Sequence, residues 1–538
     1  MHVDFHIATK HRIITNQIPN TIMTSADATS KSVDVQQVRI TNLNDCEINK
    51  DGEFVLYWMI ATRRLHYNSG LQRAVEIAAY LGKPLLVIEA VSASHKFAND
   101  RILTFMIQGL VQNQQEFESR GVRFIPWVST PLQSGTGLMQ RLSTKACAVI
   151  TDMFPTYYPN EILKIAKQQI NVRFEAVDSN GILPIDIAKR SFPTAHSFRR
   201  HLHDHFVTWW SNLPKHDPTD IDHDLSMDEA DYQEILRTCE VKPTPLEWMW
   251  RVTQGGTIGE EALTALDIDH SVPPVYSMEG GRNEALRRLS SFMAKGLDRY
   301  HTHRNNPTEC AASGLSPWFH FGHLSTTEVV KQILDREKWS PEKIDGSRRS
   351  SRSGWWGLSE PIESFLDQIL TWRELGFNFA YYNHNHTSID SIPEWAKESL
   401  KTHLNDPREN YSFKQLEDAE TSDELWNAAQ RQLKRLGIIH NYMRMIWGKR
   451  ILEWAPDPET AAKWMIELND KWALDGRDPN SYTGIFWVMG RHDRAWGPER
   501  PIFGKVRYMS SANTARKINV KEYLSRWAQD ALTLGEFR

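Results

Sequence analysis

The chain holds 20 tryptophans, most of them beyond position 245. An indole can fill a core, stack on a base or pass an electron beside a cofactor, and its neighbours decide between these uses. Trp447 and Trp454 are seven residues apart, two turns of one helix, and so lie on one side of it. With Trp426, in Leu425-Trp426-Asn427-Ala428-Ala429-Gln430, they form a stripe that suits core packing or a relay. Trp372 belongs to Thr371-Trp372-Arg373-Glu374-Leu375; Gln368, one α-helical turn earlier, shares its face, and Asp367 is adjacent. A tryptophan beside a carboxamide and charges is more than packing requires.

Two further groups bear on phosphate. Tyr300 is followed by Ala312-Ser313-Gly314-Leu315-Ser316-Pro317 and Phe321-Gly322, which set hydroxyls and free N–H groups at a helix start. Such a start seats a pyrophosphate, or simply caps a helix. Farther on, Asp475-Gly476-Arg477-Asp478-Pro479-Asn480 precedes Trp487 and the basic run from Arg491 to Pro501, with Lys505 and Arg507 beyond. Cations interleaved with aromatics suit a surface that grips phosphates and wedges bases, and a solvated loop has the same composition.

The scaffold that must hold these groups reads in two halves. Phe54 to Trp58, Pro84 to Ile88, Val122 to Trp127 and Ala148 to Ile150 are strand-like runs, with helical periods at Ser69 to Leu81 and Arg101 to Arg120. Alternation of this kind predicts an α/β doubly wound parallel sheet over residues 51–190. No GxGxxG or Walker pattern names its ligand. Residues 191–275, basic and histidine-rich and then acidic, read as a long interdomain connector. From residue 276 to 538 the pattern is all-α, with helical periods at Asn283 to Tyr300, Ser325 to Arg336, Pro361 to Asn378, Asp423 to Leu436 and His440 to Trp454. Residues 1–50 are polar and read as a flexible extension. Their opening lacks the apolar core of a secretory signal; a transit peptide or a start at Met23 is the other reading.

Composition sets limits on function. The net charge of −4 argues against a generally basic nucleic-acid coat, so any phosphate-binding face must be local. No run approaches the ~18 consecutive apolar residues of a membrane span. The four cysteines are scattered without CxxC or metal-ligand spacing, which fits a reducing compartment and gives no metal site.

Taken in order, the stretches from Trp372 through Trp426 and Asp475-Gly476-Arg477-Asp478-Pro479-Asn480 to Phe503-Gly504-Lys505-Val506-Arg507-Tyr508-Met509 resemble the flavin domain of the cryptochrome/photolyase family. The likeness is greatest to class II cyclobutane pyrimidine dimer photolyases or a diverged branch beside them. It covers about residues 54–538 and is strong after 280. The resemblance implies a helical FAD-binding catalytic domain. Tyr300, Ser313, Gly314, Leu315 and Ser316 would lie on the phosphate side of FAD, and Arg373 and Asn441 would hold the cofactor. Arg444 and Asp475 would pair beside the isoalloxazine, and Asn469 would face its N5.

By the same resemblance, Trp372, Met445 and Trp487 wall the lesion pocket. Trp447, Trp426 and Trp454 form a photoreduction chain with Trp447 innermost, and Arg491, Arg494, Arg500, Lys505 and Arg507 contact DNA. The family places a glutamate where this chain has Gln368, beside Asp367; glutamine can donate a hydrogen bond but supplies no proton. The implied activity is light-driven repair of cyclobutane pyrimidine dimers by electron transfer from excited reduced FAD. The alternative is a cryptochrome-like photoreceptor that binds FAD without repair. An antenna chromophore of unknown identity would sit in the α/β half. UV-damaged DNA is the implied partner, and the expected state is a monomer in the bacterial cytosol or nucleoid, or in a eukaryotic nucleus or organelle.

Overall fold

A computed structural model describes residues 34–529 apart from positions 132 and 310, so the readings of residues 1–33 and of Cys310 lie outside the described residues. Six strands form one sheet: β1 (Ile40–Asn42), β2 (Phe54–Met59), β3 (Leu85–Val91), β4 (Arg123–Val128), β5 (Ala146–Asp152) and β6 (Arg173–Val177), in the order β1-β6-β5-β2-β3-β4. Five of them run parallel, and the edge strand β1 pairs antiparallel with β6. Every residue of β2 is buried. Val55, Tyr57 and Met59 point into one core, and Phe54, Leu56 and Trp58 into another on the opposite face. Burial on both faces explains the unbroken apolar run.

Chain direction across the sheet reverses between β2 and β5, the point where open α/β sheets bind ligands. Asp152, at the carboxyl end of β5, fixes the loop leaving β2. One carboxylate oxygen accepts from the backbone N–H groups of Ile60, Ala61 and Thr62 at 2.8 to 2.9 Å, and the other accepts from the Tyr57 hydroxyl at 2.6 Å.

Residues 34–50, assigned by composition to the flexible extension, are bound to the sheet half instead. β1 supplies its edge, and Arg39 is buried with its guanidinium on the carbonyls of Asp178 and Ile182. A three-residue edge strand is too short to show an alternating pattern. The connector is not an extended link either. It carries four helices, Ala195–Trp210, Glu229–Thr238, Leu246–Thr253 and Gly256–Leu263. Their Phe198, Leu202, Phe206, Met249 and Leu263 are buried in the same core as β2.

The helical half packs directly on the sheet half. Arg101, 2% exposed on helix Asp100–Glu118, donates to the carbonyls of Pro273, Leu433, Lys434 and Trp472. Gly322 serves this junction: a Cβ there would lie 1.9 Å from the Ala61 carbonyl oxygen, so the Phe321-Gly322 pair marks a close approach of backbones. The helix expected over Pro361 to Asn378 runs from Glu360 to Tyr382, but its middle, Asp367–Trp372, is π-helical.

Candidate functional site

Three helices converge on the candidate residues. Asn441–Trp454 carries Arg444, Met445, Trp447 and Trp454; Pro458–Trp472 carries Asn469; Pro479–Val488 carries Trp487. Asp457 and Asp478 accept backbone N–H bonds at the starts of the last two, each followed by a first-turn proline. Between them Arg477 adopts φ +61, held by a 2.8 Å bond from its N–H to the buried carboxylate of Asp470, which also accepts from Tyr482 at 2.9 Å. That turn brings Asp475 back over the preceding helix.

The result is a polar chain of four side chains. Arg444 donates to Asn469 Oδ1 at 2.9 Å and to both oxygens of Asp475 at 2.8 and 3.2 Å. Ser316 donates its hydroxyl to Asp475 Oδ2 at 2.7 Å. Ser316 opens the short helix Ser316–His320, and the preceding Gly314 has φ +64, a left-handed turn that suits glycine. A Cβ on Gly314 would meet no atom within 4 Å, so the turn borders open space. Leu315 is fully buried and Ser313 half-buried. Tyr300 is boxed by Phe292 and Phe365, with Arg304 5.5 Å from its ring. Asn441 is exposed. One residue here that the sequence did not single out for the site is His440. Its ring nitrogens are buried without a well-formed hydrogen bond, and burial draws it down to about 4.

Gln368, Trp372, Met445 and Trp487 are each half-buried within otherwise buried stretches, as residues lining an opening are. Glycines let their helices close on one another. A Cβ at Gly376 would sit 2.4 Å from Asn480 Oδ1, and one at Gly448 would sit 2.7 Å from Val488 Cγ2. The segment that carries Gln368 and Trp372 is a π-turn, in which four residues make nearly one full turn, so the two keep a common face. Asp367 is taken by the connector, where Arg199 grips it bidentately at 2.7 and 3.1 Å and also donates to Ser350 O. Arg373 points at the sheet half, donating to Asn180 O at 2.5 Å with Phe377 4.5 Å from its guanidinium.

The three tryptophans expected to form a relay, Trp447, Trp426 and Trp454, are buried. Trp447 donates its indole N–H to Gln430 Oε1 at 2.8 Å, and Trp426 donates to the Trp447 carbonyl at 3.0 Å. The rings of Trp426 and Trp454 meet edge-on, 5.2 Å between centres. Beyond Trp454 the half-buried Tyr411 continues the contact at 5.0 Å.

The basic segment divides. Arg494, Arg500 and Lys505 are exposed. Arg507 lies 4.1 Å from the Trp496 ring and 5.3 Å from that of Trp487, and Asp493 holds its guanidinium at 2.9 Å. Arg491 departs from the expected DNA face. It is drawn inward onto Ser391 O, Ser191 Oγ and the ring of Phe379, a tie between the connector and the helical half.

Known proteins decide the family. Residues 55–216 match the family model for DNA photolyase. Deoxyribodipyrimidine photo-lyase of Methanothermobacter thermautotrophicus is 32% identical over 490 residues, 91% of this chain and 97% of that one. The chain belongs to the cryptochrome/photolyase family. The Potorous tridactylus photo-lyase is 31% identical, covering 91% of this chain and 84% of its own. In fold the chain is similar to a class III photolyase from Agrobacterium tumefaciens (TM-score 0.57, 17% identical, 88% of this chain and 86% of that one). It is also similar to a Synechocystis cryptochrome (TM-score 0.59, 15% identical, 88% of each). The predicted order of a parallel-sheet half and a helical half is therefore the family's. Among the described residues, no helix is long and apolar enough to cross a membrane.

Proposed function

We propose that the chain is a light-driven carbon–carbon lyase that opens cyclobutane pyrimidine dimers in DNA, with FAD as its photochemical cofactor. The observation that carries this reading is the double use of helix Asn441–Trp454. Arg444 anchors the Asn469–Asp475–Ser316 network, and one turn later Trp447 begins a buried indole series. A cofactor that accepts electrons belongs between two such features.

The donor set fits an anionic dinucleotide. Gly314 borders open space, His440 offers two buried nitrogens without a well-formed bond, and Arg444 supplies a cation to the Asp475–Ser316 network. Tyr300, Ser313, Gly314, Leu315 and Ser316 would form the phosphate side and Asn441 would border the cofactor, while Arg373, bound to Asn180 O, would brace the sheet half against the site. Asn469, Arg444 and Asp475 would face its ring system; reduced and excited by light, the flavin supplies an electron to the lesion. The chain's own work is positional. Trp372, Met445 and Trp487 receive the extruded dimer, whose disturbed stacking limits the extrusion to a few kcal/mol, and each aromatic contact returns about 1–3 kcal/mol. Gln368 supplies a neutral hydrogen bond to the lesion, Asp367 being engaged with Arg199. Arg494, Arg500, Lys505 and Arg507 grip the phosphates around it.

A cleft of about 660 Å³ opens at the carboxyl ends of β2 and β3 and is lined by Arg63, His95, Tyr157, His320 and Arg477 among others. It is the place for an antenna chromophore in this reading. We take the working form to be a monomer acting on UV-damaged DNA in a reducing compartment.

Illumination of the purified, chemically reduced protein with an oligonucleotide containing a dimer tests the proposal. Loss of dimers is the expected result. Bound flavin that photoreduces without any repair would assign the chain to photoreception, and a preparation without flavin absorbance would end both readings.

A further inference from the structure

Indoles on two sides of helix Asn441–Trp454 have opposite electrostatic surroundings. Trp487 lies near two cations: Lys449 Nζ is 5.6 Å and Arg507 Cζ 5.3 Å from its ring. Lys449 is fully buried and forms no ion pair among the described residues. It donates to the Val488 carbonyl at 2.5 Å, covering the negative end of the helix that carries Trp487. Asp493 is the carboxylate at this site, bound to Arg507. Two cations thus face one anion.

At Trp454 the balance is reversed. Arg450 lies 4.4 Å from the ring, but it is paired with both Asp423 at 3.0 Å and Glu453 at 2.5 Å. Glu409 accepts the hydroxyl of Tyr411, whose ring touches Trp454. Arg408 donates to the Leu452 and Ala455 carbonyls nearby. Here two cations face three anions. Inward along the series, Trp447 and Trp426 each donate their N–H to an oxygen.

An indole that loses an electron becomes a cation. A cation over its face, attractive before the loss, is repulsive after it, whereas carboxylates and N–H acceptors stabilise the oxidised ring. We infer that this charge asymmetry selects the electron donors of the chain: Trp447, Trp426 and Trp454 give up electrons to the photoexcited cofactor, and Lys449 and Arg507 keep Trp487 reduced. The inference rests on the flavin reading above. One electron leaves Trp447 for the flavin and is replaced from Trp426 and then from Trp454. The vacancy left at Trp454 is filled by a thiol from solution. A vacancy on Trp487 would instead stand in the wall of the lesion pocket, where attack by oxygen would damage the site.

Exposure alone predicts the reverse, since Trp487 is half-buried and Trp454 is 1% exposed. The flavin-loaded full chain is illuminated in air without thiol or DNA, and oxidised tryptophans are located by peptide mass spectrometry against a dark control. Burial draws Lys449 down to about 7, so the measurement is made at pH 6, where the charge is present. In the parent, light-dependent oxidation is expected at Trp454 and not at Trp487. In Lys449→Met and Arg507→Gln, oxidation of Trp487 is expected to rise about tenfold, the ratio that about 1.4 kcal/mol produces. Arg507→Gln changes a half-buried side chain and keeps the test open if the buried substitution fails to fold. Equal Trp487 oxidation in parent and Arg507→Gln, or oxidation of Trp487 in the parent as fast as that of Trp454, overturns the inference. A chain that binds no flavin, or binds flavin that does not photoreduce, overturns the flavin reading itself.

Discussion

At the scale of single residues, the chemistry concentrates on helix Asn441–Trp454, and two substitutions there separate its roles. Removing the Arg444 cation leaves Asp475 with only the Ser316 hydroxyl and Asn469 Oδ1 without its donor. Arg444→Met is expected to weaken flavin binding by about 3 kcal/mol, roughly a hundredfold, read as flavin retained per protein after gel filtration. Trp447→Phe leaves that network untouched and removes the indole proposed as innermost. It is expected to slow flavin photoreduction at least tenfold, on the order of 1.4 kcal/mol or more in barrier, while chemically reduced protein keeps its repair yield. The spacing of Trp447 and Trp454 was readable because one helix carries both. The acceptor for Trp447, Gln430, stood in a quoted motif, but its role depends on how two helices pack, which no spacing encodes.

At the scale of elements, the parallel strands were legible because both faces of the sheet are covered, which forces continuous apolar runs. The π-turn was not, since the residues of Asp367–Trp372 would also suit an α-helix. Its partner was equally hidden: Arg199 lies 168 positions away, in a segment whose charge and histidines suggested a linker. This pair pins the turn that carries Gln368 and Trp372. Arg199→Ala strands a largely buried carboxylate and is expected to lower stability by about 3 kcal/mol in a urea titration. Arg199→Lys should recover only part of that loss, because an ammonium cannot make the two parallel bonds to Asp367.

At the scale of the whole molecule, the two halves are joined by buried charge rather than by a tether. Glu374, on the helix after the π-turn, accepts the Ile182 N–H from the sheet half at 2.9 Å, and burial pushes its carboxyl up to about 7. In the unfolded chain the same group titrates near about 4.3. The folded state therefore holds a proton that the unfolded state has released. The stability this adds is full below the unfolded value and is lost as pH rises through about 7. Between pH 5 and 8 the parent's unfolding midpoint is expected to fall from this source. Glu374→Gln, neutral throughout, should flatten the profile and be the more stable protein at pH 8. The Arg101 clamp has another implication. Its four carbonyl partners come from Pro273 and from Leu433, Lys434 and Trp472, so neither half carries a finished surface. The molecule is indivisible as a unit of inheritance: recombination between the sheet and the helices would separate a cation from the acceptors that make it soluble in the interior. A fusion partner inserted at this seam would break the clamp.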